Sequence, residues 1–165
     1  MGFQSINEIE NFSFEDCQIS EFKVLENSVE IEVEALIVKP ANSQNTNYTE
    51  SYAGTTRILF EDGKLLSGKK DGYKYYDANE VLLSETPDEE MTIEQILEML
   101  SRSKDEYLYG IQLRKEEDGV YYYTMGIEFV SEEAFDTVPA DSYQLEFSCE
   151  KLIISWSQYL NRVQR

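Results

Sequence analysis

Residues 29–39 read VEIEVEALIVK, and this stretch decides the fold class. Val29, Ile31, Val33 and Ala35 alternate with Glu30, Glu32 and Glu34. A period of two is what a strand with one face in water requires, and a helix cannot satisfy it. Residues 19–26 carry a matching pattern, and Asn27-Ser28 between the two segments suits a tight turn. Together they predict a long β-hairpin. A two-residue loop sets Val24 against Ile31 and Phe22 against Val33, so the apolar faces agree. The same register puts Lys23 opposite Glu32, which is favourable, and Glu21 opposite Glu34, which is not.

Pro40 closes that strand. Residues 41–54 follow, rich in Asn, Gln, Ser and Thr, with Tyr48 and Tyr52 and a single charge at Glu50. A connection of this length is usually functional when it is ordered. Beyond it, residues 55–60 and 64–67 flank Glu61-Asp62-Gly63, a strong turn signal that predicts a second hairpin. Residues 73–76 and 81–84 around Asp77-Ala78-Asn79 predict a third.

One segment reads as helix. Thr92 and Gln95 have the spacing of a capping box, and Ile93, Ile96, Leu97 and Leu100 follow at i, i+3, i+4 and i+7. This predicts a helix over 91–103 with those four side chains buried. Residues 107–116 and 120–130 pair next. Aligning Leu113 with Tyr123 and Ile111 with Met125 calls for a three-residue turn with Gly119 left-handed. Residues 143–154 predict one long strand or a hairpin turning at Glu150-Lys151. Trp156, Tyr159, Leu160 and Val163 repeat the helical spacing. The expectation is therefore a single α+β domain over 1–165: a curved antiparallel sheet of consecutive hairpins, with one central helix and a short C-terminal helix.

Charge is the loudest compositional feature: 33 acids against 14 bases, formally −19. Past Glu150 the only charges are Lys151, Arg162 and Arg165, so residues 1–150 carry −22. Such a surface repels nucleic-acid phosphates and anionic lipid and draws cationic partners in from a distance. No apolar run approaches the roughly 20 residues of a membrane span, and residues 1–12 have no secretory pattern. Cys17 and Cys149 are expected to be reduced, buried and inert. A cytoplasmic location is the expectation.

The chain contains no histidine, which removes the commonest general base and the commonest metal ligand together. Two cysteines alone cannot build a structural zinc site, and no Gly-rich phosphate-binding box exists. No catalytic residue, metal site or cofactor is expected. The candidate partner-binding residues are Glu30, Glu32 and Glu34, which stack carboxylates on one strand face, Glu21 opposite them on the neighbouring strand, and Asn47, Tyr48 and Tyr52 in the 41–54 segment. Glutamates of one face lie roughly 7 Å apart along a strand, so a cationic surface covering them relieves mutual repulsion. The leading reading is a non-catalytic protein whose acidic face binds a basic protein. The alternatives are a small-molecule or peptide-binding domain using the 41–54 loop, and a carboxylate-based enzyme. Oligomeric state is left open.

Several stretches carry a resemblance: VKPANSQNTNYT (38–49), FEDGKLL (60–66), YYDANEVLLSE (75–85) and SWSQYLNRVQ (155–164). Together they resemble a family of small, acidic, uncharacterised proteins of Gram-positive bacteria. YYDANEVLL is also similar to one unit of the tyrosine-aspartate repeats found around bacterial toxins. In size, acidity and strand content the chain looks like a toxin-immunity protein, which implies tight association with a basic partner and no chemistry of its own.

Overall fold

The computed structural model describes residues 2–102, 106–129 and 141–164. It corrects the α+β expectation: the chain is mostly β, 61% strand and 8% helical, with one α-helix among the described residues. The strands are β1 (Phe3–Ile6), β2 (Phe12–Ser13), β3 (Gln18–Val24), β4 (Ser28–Glu34), β5 (Ile37–Val38), β6 (Ser51–Ala53), β7 (Thr56–Glu61) and β8 (Lys64–Lys70). They continue with β9 (Tyr73–Tyr76), β10 (Leu82–Thr86) and β11 (Glu89–Met91), then α1 (Ile93–Arg102). The chain closes with β12 (Glu106–Glu117), β13 (Val120–Phe129), β14 (Asp141–Cys149), β15 (Lys151–Trp156) and β16 (Tyr159–Arg162).

Ten strands form one antiparallel sheet in the order β1-β15-β7-β4-β3-β12-β13-β14-β8-β11. It is joined in the middle by a seam where, among the described residues, β3 and β12 pair at Ile19–Glu106 and Gln18–Tyr107. About this seam the sheet folds over on itself. Phe60 of β7 stacks on Phe147 of β14, and Phe22 of β3 lies against the same ring. The two halves thus face each other as leaves around one apolar core. A four-stranded sheet, β16-β6-β5-β2, caps the first leaf, and Trp156, Phe3, Phe12 and Tyr159 pack between them.

The strong turn at Asp62-Gly63 does not make a hairpin. β7 is held between β15 and β4, while β8 lies between β14 and β11 in the opposite leaf. β14 and β15 part in the same way at Glu150, so residues 143–154 form neither a single strand nor a hairpin. Both edges of each strand are already occupied by other partners. Turn chemistry reverses the chain and leaves the choice of neighbour open.

Other expectations are shifted. The run 29–39 breaks at Ala35, which sits at φ 62° and sends Leu36, Ile37 and Val38 into the small sheet. The β3–β4 hairpin forms two residues out of the expected register: Val24 pairs with Val29, Phe22 with Ile31, Lys23 with Glu30 and Glu21 with Glu32. A slip of two preserves the faces, so the apolar pattern could not detect it. In β12–β13 the expected pairs Leu113–Tyr123 and Ile111–Met125 form. The turn, however, has two residues, Asp118 and Gly119 at φ 53° and 79°, and a bulge between Leu113 and Lys115 restores the register.

The helix closes its capping box: the Thr92 N–H donates to the Gln95 side-chain oxygen, and the Gln95 N–H to the Thr92 hydroxyl. It packs on β8 and β3, one strand from each leaf. Ile96 and Leu100 are buried, whereas Ile93 and Leu97 are 38% and 39% exposed. The expected four-residue stripe is therefore half its width in the core. The C-terminal helix is absent: β15 ends at Trp156, and Tyr159–Arg162 pair with β6 through Tyr159–Ala53 and Arg162–Ser51. Sheet pairing overrides a helical period that spans only two turns. Among the described residues no helix is long and apolar enough to cross a membrane.

Candidate functional site

The outward face of the first leaf holds the glutamate ladder. Even-numbered residues of β4 point away from the core because Val29, Ile31 and Val33 point into it, each essentially without exposed surface. Register extends the ladder sideways across the strands. Glu21, Glu32, Arg57, Ser155 and Gln4 form one cross-strand row. Lys23, Glu30, Leu59, Ile153 and Ile6 form the next.

Every glutamate of the group has a local partner. Glu30 pairs with the Arg57 guanidinium, and Glu21 with Lys23 of its own strand at 3.0 Å. Glu32 accepts from the Ser20 hydroxyl at 3.0 Å and Glu34 from the Thr55 hydroxyl at 2.7 Å. The Glu21 hydrogen bond and charge raise the Lys23 pKa above its ordinary value. The expected Glu21–Glu34 opposition is replaced by Glu21 facing Glu32. Four carboxylates against two cations leave this face net negative, with the carboxylates held in fixed positions. At its rim a cleft of about 480 Å³ is lined by Gln4, Glu32, Thr55, Arg57 and Ser157 among others.

Arg57 and Thr55 escaped the sequence reading. The signal was present in TRILFE (56–61): Thr56, Ile58 and Phe60 are the inward set, which places Arg57 outward. Its proximity to Glu30 rests on β7 pairing with β4, which a local pattern does not reveal.

The 41–54 segment is ordered by its own polar side chains. Buried Asn45 donates to the carbonyls of Val38, Lys39 and Thr49. The Glu8 carboxylate accepts from the Ser5 and Ser43 hydroxyls, both at 2.6 Å, and from the Ser43 N–H. Burial alone would raise the Glu8 pKa, but these hydrogen bonds together outweigh it and hold the group below its ordinary value. Asn47, Tyr48 and Tyr52 are not brought to one place. Asn47 lines a cleft of about 410 Å³ with Ser51 and β16. Tyr48 stands at φ 58° with 91% of its surface exposed, and Tyr52 is half-buried in β6 opposite Ile37.

The chain matches no protein-family model, no curated protein and no solved structure.

Among the described residues no group of three or more Cys, Asp or Glu side chains is placed to hold a metal ion. Cys17 and Cys149 are free and buried. Burial pushes both thiols up to about 12, and for Cys17 the Glu34 charge adds to it, so neither is a thiolate near neutral pH.

Proposed function

We propose that this chain is a non-catalytic binding protein whose acidic sheet face covers a basic protein surface, as a toxin-immunity or antitoxin-type protein does. The observation that carries the reading is the ladder on β4. Among the described residues, no helix covers the face on which Glu30, Glu32 and Glu34 lie, with Glu21 beside them. Among the described residues, Lys23 and Arg57 are the cations beside these carboxylates, and both are already engaged.

Fixed carboxylates favour this use. Their geometry is set by β4, by Ser20 and by Thr55, so a cationic partner meets them with little side-chain entropy left to lose. The −19 of the whole chain steers such a partner toward any face, and the ladder concentrates that field locally. The 41–54 loop supports the ligand-binding alternative less well, since its buried Asn42, Asn45 and Ser51 side chains are spent on backbone groups of residues 38–49.

An oligo-lysine peptide titrated into isotope-labelled protein tests the reading. Amide shifts should concentrate on β3, β4 and residues 55–57 and vanish as salt rises. Changing Glu30, Glu32 and Glu34 to Gln should preserve the fold and abolish that local pattern. Equal binding by the triple variant would sink the proposal.

A further inference from the structure

A second surface lies at the opposite leaf, on β9 and β10. These strands continue β8 and β11 in unbroken register: Met91–Gly68 and Glu89–Lys70 are followed by Thr86–Tyr73 and Glu85–Lys74. One long ribbon is therefore divided at Asp71-Gly72 and Pro87-Asp88, and its outer half leaves the sheet. The break is clamped. Asp88 accepts the Gly72 N–H at 2.7 Å and pairs with Lys69 at 3.2 Å. A side chain at Gly72 would collide with the Thr86 carbonyl oxygen, 2.0 Å from the position of its first carbon.

The outer half is an arm. Among the described residues β9 and β10 pair only with each other, so both outer edges present backbone groups without a strand partner. Its tip is held by Asp77, whose carboxylate accepts the N–H groups of Asn79 and Val81. Tyr73, Tyr76, Val81, Leu82 and Leu83 are all exposed, Leu83 by 67% at the bulge that interrupts the pairing. Tyr76 and Leu82 face each other across the strands. Contiguous apolar groups on a projecting hairpin mark an interaction surface.

The surrounding charge says what covers it. Residues 71–91 carry seven acids and one base, Lys74, which already pairs with Glu85. Two such arms repel each other, which protects the open edges from self-pairing. A segment that is both apolar and cationic meets neither obstacle. We propose that the β9–β10 arm is the docking surface for a cationic amphipathic segment of another protein. This inference does not depend on the ladder reading, because the arm extends from β8 and β11 of the second leaf whereas β4 belongs to the first.

The probe is a fluorescent synthetic peptide of alternating lysine and leucine, titrated into the full chain at low salt and followed by anisotropy. The unaltered protein should bind it. Leu82→Ser with Leu83→Ser should weaken binding by about tenfold or more, since apolar contact is the anchor. All titrations are run also in the Glu30, Glu32 and Glu34 to Gln background, which removes the ladder as a second cation-binding face, and the loss on Leu82→Ser with Leu83→Ser should persist there. In that background a control peptide with serine for leucine should bind at least about tenfold more weakly. Amide spectra outside residues 73–86 report whether the Ser variant keeps its fold. Leu83→Lys, one exposed change at the bulge, repels the peptide even if the Ser variant loses the arm. In the ladder-silenced background, unchanged binding by both arm variants, or by the serine peptide, overturns the proposal. So does a dimer of the parent that the Ser variant converts to monomer, which would assign the arm to a second copy of this chain.

Discussion

The ring of Phe60 lies on the ring of Phe147 with centroids 5.1 Å apart and planes 20° from parallel. The two residues belong to opposite leaves, and both are buried without residual exposure. Their contact is where the folded-over sheet closes on itself. Phe147→Ala should cost about 3–5 kcal/mol, because a ring-sized cavity in a close-packed core is only partly filled by relaxation. A double-mutant cycle with Phe60→Leu should add a coupling of about 0.5–1.5 kcal/mol from ring geometry beyond burial. Urea unfolding of the four proteins measures both. A coupling of zero would mean that the leaves are held by other contacts.

Within α1 the two neighbours Ile96 and Leu97 separate sharply. Ile96 has no exposed surface, and Leu97 keeps 39% of its own. Ile96→Ala should cost about 2–5 kcal/mol, and Leu97→Ala clearly less, since water already reaches much of that side chain. Chemical denaturation ranks them. Equal costs would contradict the observed face of the helix.

Glu106 sits at the seam between the leaves, 5% exposed, with its Oε2 unpaired among the described residues. Burial raises its pKa from 4.5 to about 7. A raised carboxyl pKa means that the folded state binds the proton more tightly than the unfolded one. Its charge therefore costs nothing below pH 4.5, costs progressively more as pH rises, and costs the full amount above about 7. Glu106→Gln should stabilise the protein at neutral pH by on the order of 2–4 kcal/mol and leave stability at pH 4 nearly unchanged. Melting curves of both proteins across this range check the sign. A variant less stable at pH 8 than the parent would show that the carboxylate has a partner that repays its burial.

Cys17 and Cys149, raised to about 12 and 1% exposed, should resist thiol reagents in the native state. Titration at pH 8 should report two thiols per chain once the protein is unfolded, and almost none before. Fast reaction without denaturant would mean that the core around them opens readily.

Much of the local structure was legible. Alternation over 29–35 placed Glu30, Glu32 and Glu34 on one outward face, the capping box at Thr92 and Gln95 began the helix, and the pairs in β12–β13 followed from apolar matching. Each of these rests on interactions within a few residues or across one turn. The C-terminal helix failed for the converse reason. Tyr159 and Leu160 have a helical period, but β6, which pairs with Tyr159 and Arg162, lies nearby only in the folded chain.

A period of two tells which side chains face the core, and on that the amino-acid order alone was decisive for this protein. It says nothing of which strand lies alongside, because each backbone edge presents the same N–H and C=O groups whatever the side chains are. The parting of β7 from β8, the two-residue slip of β3 on β4 and the meeting of Arg57 with Glu30 were all decided at that level. So was the departure of the β9–β10 arm from the sheet. Tertiary structure chose them by packing Phe60, Phe147 and Tyr123 into one core, a three-body arrangement of residues far apart in the chain. Local propensity has no term for it.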